Sequence, residues 1–348
     1  MKICYLLEST ELSGGVRVVF DHARALGARG HQVIIRAKCG IHDWYPFQIS
    51  VNYINNLACP FHLDDVPDVV VATFWTTVQP ALQLGCKHTF HFCQGYEGDF
   101  VEYAQGYADI FQAYQTPIPK ITIGSWLQQR LQQIYGKEAF EIHCVGQIVD
   151  METFRPSVLP LRSFLRRLFG LPVRVLIVGS FGPVVKAIGD ALYAVALMRA
   201  CGQRIHLTRV ASQPCSPEED AITSIQSYRK SLSARCLAGV YRNTDLLLAS
   251  SLQQEGFGLP FAEALASGIP CVATEISSYL SFDTSPDYAV FVPQGSPRQM
   301  AEAAINLLRN PLYQMKLRRR GPQVVAKRCR AAMVAQRLER VFVGGGAR

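Results

Sequence analysis

The first part of the chain alternates between short apolar runs and segments with helical periodicity. KICYLLE and HQVIIRA are mostly apolar runs that predict buried strands. Between them, a loop containing SGG leads into VRVVFDHARALGARG, whose apolar residues fall on one face of a helix. Further strands are predicted for DVVVATF and KHTFHFC, and ITIGSWLQQRLQQIYG predicts a strand followed by an amphipathic helix. A strand, a helix and a strand in succession predict a parallel sheet with right-handed crossovers.

A change of pattern divides the chain into two α/β domains. METFRPSVLPLRSFLRRLFGLP carries three prolines and no clear strand, so it predicts a linker. Beyond it, VRVLIVGSF, RIHLTRV, DLLLAS, GIPCVAT and AVFVP predict a second parallel sheet. The predicted boundaries are a first domain over residues 1–155, a linker over 156–172, a second domain over 173–325 and a helix over 326–348 that could pack back across the linker. Ligand sites of such sheets lie at the carboxyl ends of the strands, so we expect a site in a cleft between the domains.

Composition narrows the class of protein further. The 348 residues are 49% hydrophobic and 18% charged, and they contain no apolar run of the ~18 residues that a bilayer span needs. We therefore expect a cytoplasmic globular protein. The 11 cysteines form no CxxC pair, so we expect reduced thiols and no metal centre. The net charge is −4 up to Arg155, from 11 basic and 15 acidic residues, and +12 in the remainder, from 24 and 12.

The basic clusters LRSFLRRLFG and KLRRRG of the second half suit a polyanion such as a nucleotide diphosphate or an anionic lipid surface. Peripheral membrane contact is therefore one hypothesis for these clusters, and a solvated face is the simpler alternative. Nucleic acid is not expected as a partner, because the chain lacks a motif that interleaves aromatic and basic residues.

The segment SSLQQEGFGLPFAEALASGIPCVAT is the most informative stretch of the sequence. It predicts a strand, a glycine-rich loop and a helix that begins near Pro260. Amides at a helix start suit a phosphate, and Glu255 and Glu263 on either side of that point suit hydroxyl groups. A diphosphate flanked by sugar hydroxyls, as in a nucleotide sugar, fits this arrangement. The alternative is that Glu263 only complements the helix dipole and that Glu255 is a solvated loop residue.

The same stretch closely resembles the motif of retaining glycosyltransferases of family four, in which seven residues separate two glutamates. The resemblance implies the α/β GT-B fold, with two Rossmann-like domains whose parallel sheets face each other across a cleft. It implies that Glu255 contacts the donor sugar, that Glu263 holds the ribose hydroxyls, and that the loop at Phe257, Gly258 and Leu259 faces the donor. Weaker similarities extend over nearly the whole chain, in SGGVRVVFDHARALGARGHQV, ITIGSWLQQRL, VDMETFRP and VYRNTDLLLASS.

Lys186 lies between a predicted strand and a predicted helix, where its ammonium can reach a diphosphate. Its position resembles that of the family's diphosphate-binding lysine. The family usually also has an arginine just after the glycine that ends the strand, and this chain has Ser180 after Gly179. Three alternatives stay open: Lys186 and helix amides suffice, Arg209 or another basic residue supplies the missing cation, or catalysis is weak.

Four residues of the first domain complete the predicted site. Gly14 and Gly15 precede a helix, where their backbone can approach a phosphate or the donor sugar, although a plain tight turn would also explain them. The family often has a donor-contacting histidine at the end of the strand HTFHFC, and either His91 or Gln94 matches it. A lone histidine on an apolar strand is otherwise a core residue.

The resulting hypothesis is a metal-independent retaining glycosyltransferase that moves a sugar from a nucleotide sugar to an acceptor hydroxyl in polysaccharide or glycoconjugate synthesis. No Asp-x-Asp triplet occurs, and no cofactor is expected beyond the nucleotide sugar as co-substrate. Departure of the diphosphate would then depend on Lys186 and helix amides. The alternative is a catalytically silent subunit of glycosyltransferase type that binds a nucleotide or a partner, which Ser180 favours.

Overall fold

The computed structural model describes residues 1–157, 165–166 and 168–344. The chain forms two compact units: Met1–Ile148 with Cys329–Arg348, and Val149–Arg328. Eight of the 17 residues of the predicted linker, 158–164 and 167, lie outside the described residues, and five of them belong to the cluster LRSFLRRLFG.

The described part of the first unit contains a seven-stranded parallel sheet in the order β3-β2-β1-β4-β5-β6-β7. Its strands are β1 (Lys2–Ser9), β2 (Gln32–Cys39), β3 (Val51–Tyr53), β4 (Val69–Ala72), β5 (His88–Cys93), β6 (Lys120–Thr122) and β7 (Ile142–Cys144). Tyr5 of β1 pairs with Ile35 on one side and Val71 on the other. The central strands are buried on both faces, as expected for a parallel sheet covered by helices.

The described part of the second unit contains a six-stranded parallel sheet in the order β10-β9-β8-β11-β12-β13. Its strands are β8 (Val173–Val178), β9 (Ile205–Ala211), β10 (Ser227–Lys230), β11 (Leu246–Ala249), β12 (Cys271–Thr274) and β13 (Val290–Val292). The order is that of a Rossmann fold. Its first three strands extend the sheet toward one edge, and the fourth strand then returns to pair with the other side of the first. The first and fourth strands are β8 and β11, with Leu247 paired to Leu176.

The helices pack on the faces of these sheets. The first unit has α1 (Gly14–Gly27), α2 (Val78–Gln83), α3 (Tyr107–Gln115), α4 (Ser125–Tyr135) and α12 (Ala331–Gly344). The second has α5 (Ile188–Ala200), α6 (Pro217–Ile222), α7 (Ala234–Arg242), α8 (Leu259–Ala266), α9 (Ser277–Leu280), α10 (Pro297–Arg309) and α11 (Pro311–Arg328). Within the described ranges, none of the helices has the length and apolarity to cross a bilayer.

The unit boundaries are set by packing on either side of the predicted linker. Residues from Val149 onward belong to the second unit, earlier than the predicted boundary at residue 155. Phe154 is fully buried there, with its ring centroid 5.7 Å from that of Tyr241. In the first unit, α12 contributes Glu339, which accepts two hydrogen bonds from Arg29 at 2.7 and 2.6 Å. The last helix is therefore part of the first unit, although it follows the second unit in the sequence.

Close contact between α8 and α11 requires a glycine at position 321. A Cβ atom there would lie 2.8 Å from the carbonyl oxygen of Leu265, whereas a Cβ atom at the helical residue Gly239 would meet nothing within 4 Å. We expect Gly321→Ala to lower the free energy of unfolding by about 1 to 3 kcal/mol through overpacking. Gly239→Ala should raise it by about 0.5 to 1 kcal/mol, because alanine favours the helix.

Denaturant unfolding of the two variants beside the wild type measures both changes. The glycine substitutions are chemically identical and both lie in helices of the second unit, so opposite signs isolate the steric contact. Equal effects of the two substitutions would contradict the close packing of α8 and α11.

Candidate active site

The candidate site of the second unit lies where β8 and β11 end side by side. The loop after β8 leads through a short 3-10 turn, Val184–Lys186, into α5, and the loop after β11 leads into α8. Two hydrogen bonds join the loops: the Leu252 amide donates to Val185 O at 2.8 Å, and the Ser250 side chain donates through Oγ to Lys186 O at 3.1 Å. The sequence therefore places Lys186 and the glutamate motif at the topological switch point of the sheet, where such sheets bind ligands.

An ion pair between Lys186 and Glu255 spans this switch point. The Lys186 Nζ atom donates to Glu255 Oε2 at 2.5 Å, and Ser251 Oγ donates to the same oxygen at 3.0 Å. The Glu255 side chain is 9% exposed and that of Lys186 is 29% exposed. The ammonium is thus anchored on one side by a buried carboxylate while part of its surface stays open to solvent.

Opposing influences set the ionisation of Glu255. Burial alone would raise the pKa of its carboxyl group, but the charge of Lys186 lowers it, as do hydrogen bonds from Lys186, Ser251 and the Gly258 amide. The net effect is a pKa below the ordinary value of 4.5. Glu255 is therefore an anion at neutral pH and a hydrogen-bond acceptor at the edge of the site.

Gly258 gives the motif loop its shape. Its φ angle of 74° lies in the left-handed region, and a Cβ atom there would come within 2.2 Å of the Tyr279 ring. The Tyr279 hydroxyl in turn donates to Ser251 Oγ at 2.9 Å, which connects this tyrosine to Glu255 through Ser251. Gly258 caps α8, and Leu259 is its first residue. No side chain caps this helix start, and Pro260 carries no N–H group, so Leu259 and Phe261 supply the first helix amides that could meet an anion.

Glu263 lies one turn inside α8, as predicted, and is 1% exposed. The Tyr241 hydroxyl donates to Glu263 Oε2 at 3.2 Å and lies 3.0 Å from Pro260 O. The two motif glutamates therefore have different surroundings: Glu255 is paired with a lysine, and Glu263 is bonded to a tyrosine of α7. The Phe257 ring, between them in sequence, packs against the Phe282 ring at a centroid distance of 5.1 Å, with the two planes tilted by 46°.

The described second unit thus contains a small cavity at the end of its central strands. Its polar lining consists of Lys186, Ser250, Ser251, Glu255 and Tyr279. Sequence reasoning missed Ser251 and Tyr279. Ser251 had a weak signal, as a hydroxyl residue four positions before Glu255, whereas Tyr279 lies in the short helix α9 and only the tertiary structure brings it to the motif.

Ser180 and Arg209, the two residues considered above in connection with the missing cation, are each bonded to other residues of the second unit. Ser180 Oγ lies 2.8 Å from Ser212 Oγ. Arg209 is fully buried and binds Glu219 and two backbone carbonyls, so the alternative in which it supplies the missing leaving-group cation is wrong for this structure.

The predicted residues of the first unit separate into two groups. Gly14 and Gly15 are the first residues of α1, which Ser13 caps by accepting from the Val16 amide at 3.2 Å. Gln94, at the end of β5, donates to Gly15 O at 3.1 Å, so the structure brings these glycines and Gln94 together.

His91 is placed differently, and its proposed contact with a donor needs correction. The ring is fully buried, 4.6 Å from the Tyr114 ring between centroids. Burial and the nearby charge of Lys120 hold its pKa well below the ordinary value. Packing against Tyr114 holds His91 in the core, so Gln94 is the residue of this pair that lies at the glycine loop.

The cations of the cluster KLRRRG are largely engaged within the second unit. Arg320 binds Asp287 at 2.6 Å and Asp283 at 2.8 Å, and Lys316 lies 3.9 Å from Asp287. Arg318 donates to Gly268 O at 3.5 Å. These contacts explain much of the cluster without a membrane or another polyanion.

Comparison with known structures defines the fold. Sucrose-phosphate synthase from Thermosynechococcus elongatus superposes with a TM-score of 0.75 at 16% identity, over 99% of each chain. Anabaena Alr3699/HepE in complex with UDP-glucose superposes with a TM-score of 0.75 at 14% identity, over 99% of this chain and all of that one. The predicted GT-B fold is confirmed.

Comparison of sequences then identifies the family to which the second unit is related. Residues 172–310 match the family model described as Glycosyl transferases group 1, so the resemblance noted from the motif is confirmed over this part of the chain. A phosphatidyl-myo-inositol mannosyltransferase of Mycobacterium leprae is 29% identical over 105 residues. That stretch covers 30% of this chain and 28% of the relative's own length.

The ion pair predicts a pH-dependent contribution to stability. Because the pKa of Glu255 is lowered on folding, its stabilising effect is complete above the unfolded value of 4.5 and is lost as the pH falls through the folded value. Lys186→Met leaves a buried carboxylate without its cation and should cost about 2 to 3 kcal/mol at pH 7. The loss should be smaller at pH 4, where the variant's carboxyl group becomes protonated.

Urea unfolding at the two pH values tests this expectation. Adding Glu255→Gln to the Lys186→Met variant should restore part of the stability at pH 7. Arg298→Met serves as a control, because Arg298 forms an exposed pair with Glu302 and should change stability by no more than about 0.5 kcal/mol. An equal loss at both pH values would exclude the proposed role of the charge.

Proposed function

We propose that this protein is a glycosyltransferase that takes a sugar from a nucleotide-diphosphate sugar bound by its second unit. The observation that carries the proposal is the Lys186–Glu255 pair at the end of β8 and β11, beside the uncapped start of α8. The family match over residues 172–310 and the UDP-glucose bound by the Anabaena protein support the same ligand class.

The chemistry follows from the groups around the cavity. The ammonium of Lys186 is positively charged, and the amides at the start of α8 are hydrogen-bond donors at the positive end of the helix dipole. Both therefore suit the negatively charged oxygens of a diphosphate leaving group. The ionised Glu255 is an acceptor suited to hydroxyl groups of the transferred sugar. Glu263 is assigned by family resemblance to the ribose hydroxyls.

We propose a retaining outcome, in which the acceptor hydroxyl attacks from the face that the diphosphate leaves. The departing phosphate can take the acceptor proton, so the reaction needs no base from the protein. Metal independence belongs to the same proposal, because Lys186 and helix amides offer the positive charge that a cation would otherwise supply. A sugar or glycoconjugate is the proposed acceptor.

The first test is calorimetric titration with UDP, GDP, TDP and ADP, in buffer with and without EDTA. We expect one nucleotide to bind in both buffers and Glu263→Gln to weaken its binding about tenfold, which corresponds to about 1.4 kcal/mol. Glu302→Gln is the matched control, since the Glu302 side chain is 61% exposed and distant in sequence from the motif. Loss of binding in EDTA would contradict metal independence.

The second test separates catalysis from binding. Hydrolysis of the matching nucleotide sugar should be measurable in the wild type, and Glu255→Gln should slow it about 100-fold while leaving nucleotide affinity within a fewfold. Ser180 favours one alternative, a catalytically silent subunit that binds a nucleotide or a partner. Tight nucleotide binding without hydrolysis or transfer to any sugar acceptor would support its nucleotide-binding form. Absence of nucleotide binding would exclude the glycosyltransferase and leave the partner-binding form.

A further inference from the structure

A second ion pair of the same unit is sealed beneath the loop that follows β8. Arg209 of β9 and Glu219 of α6 are 0% and 1% exposed. Arg209 Nε donates to Glu219 Oε2 at 2.8 Å, and Nη2 lies 2.7 Å from the same oxygen. The other bonds of the guanidinium go to the backbone at the end of β8: Nη1 donates to Ile177 O at 3.0 Å and Nη2 to Gly179 O at 2.9 Å.

The bond to Gly179 reaches the wall of the candidate site. Gly179 has a φ angle of 139°, which favours glycine, and its amide donates to Val210 O at 2.9 Å. A Cβ atom at this position would lie 3.8 Å from Cγ and Cδ of Lys186 and 3.3 Å from Ile188. The backbone that Arg209 holds is therefore separated from the stem of Lys186, whose ammonium meets Glu255, by about the space of one methyl group.

The geometry of Arg209 excludes a direct role toward a ligand. Its side chain is inaccessible to solvent, its charge is compensated by Glu219, and its planar donors are directed at fixed acceptors. Tyr228 closes the cluster, with its hydroxyl 3.5 Å from Glu219 Oε1 and its ring 5.9 Å from the guanidinium carbon. A buried fork of this kind fixes backbone more rigidly than a lysine could.

We propose that Arg209 and Glu219 are positioning residues that hold the Gly179–Ser180 turn in the shape required for diphosphate binding. This inference rests on the proposed function. The turn occupies the place where the resembling family usually has an arginine, and here Ser180 bonds to Ser212 of the loop after β9. Arg209 thus acts on the diphosphate site from below, through Gly179 and the stem of Lys186.

The test compares the binding of nucleoside diphosphates and monophosphates. UDP, GDP, TDP and ADP, and the corresponding monophosphates, are titrated into wild type, Arg209→Met, Arg209→Lys and Glu219→Gln. We expect Arg209→Met to weaken the diphosphate about tenfold, in the range known for residues that orient a binding group, and the monophosphate less than about twofold. Arg209→Lys keeps the charge but loses the fork, so it should lie between wild type and Arg209→Met.

Arg199→Met is the matched control for general loss of stability. Arg199 also binds backbone and side-chain oxygens, including Ser224 O at 2.8 Å, but it lies in the last turn of α5, whereas Lys186 precedes the first. Its ratio of diphosphate to monophosphate affinity should equal that of the wild type. Thermal unfolding of every variant shows whether it is folded at the titration temperature.

The outcomes distinguish the two levels of the proposal. Nucleotide binding by the wild type with an unchanged affinity ratio in the folded Arg209 variants and Glu219→Gln would overturn the positioning role alone. The positioning role would also be overturned if Arg209→Met and Arg199→Met weakened the binding of the diphosphate and of the monophosphate to the same extent. If the wild type binds none of the nucleotides, the proposed function fails, and the positioning role fails with it.

Discussion

The buried contact between Lys186 and Glu255 is the constraint on which the geometry of the candidate site depends. The two loops that it joins leave neighbouring strands in opposite directions, so the sheet alone does not fix the distance between them. Desolvation makes an unpaired carboxylate costly at this position. Ionised Glu255 is therefore accommodated only with Lys186, Ser251 and the Gly258 amide around it. The same requirement fixes the left-handed turn at Gly258, and with it the start of α8.

Two ion pairs of the second unit show how burial decides whether a charge can act on a ligand. Arg209 and Glu219 are both buried, and the guanidinium donates to Glu219, Ile177 O and Gly179 O, all within that unit. Lys186 instead combines a buried partner with a side chain that is 29% exposed. A fully buried ion pair fixes the positions of the groups around it but exerts little attraction on a ligand in solvent. A partly exposed ammonium can still attract an anion. The two pairs meet at Gly179, where the backbone held by the first approaches the stem of the second.

The parts of the molecule that were predictable from sequence are those that depend on local patterns. Apolar runs predicted the central strands of both sheets but not the short edge strands β3 and β10, and Pro260 with the glycines before it marked the start of α8. Contacts between distant segments had no such signal. Gln94 reaches Gly15 across 79 positions, and Tyr279 reaches Ser251 across 28. His91 is a further example. Strand alternation could not decide which face of the sheet this histidine lies on, and only its packing against Tyr114 shows that it belongs to the core.

Ser180 raises the question of whether one lysine can serve both a carboxylate and a diphosphate. An ammonium group has three N–H donors that are free to rotate about its terminal bond, whereas a guanidinium has a fixed planar fork. Lys186 can therefore keep its bond to Glu255 Oε2 and direct another donor toward a phosphate oxygen, with the start of α8 contributing further amides. Retaining the first bond during binding has a physical advantage, since breaking it would leave the Glu255 carboxylate buried without its cation while a second anion enters. Under the proposed function, the lysine bridges the groups assigned to the sugar and to the diphosphate, so its placement would matter more in this chain than where an arginine shares the charge.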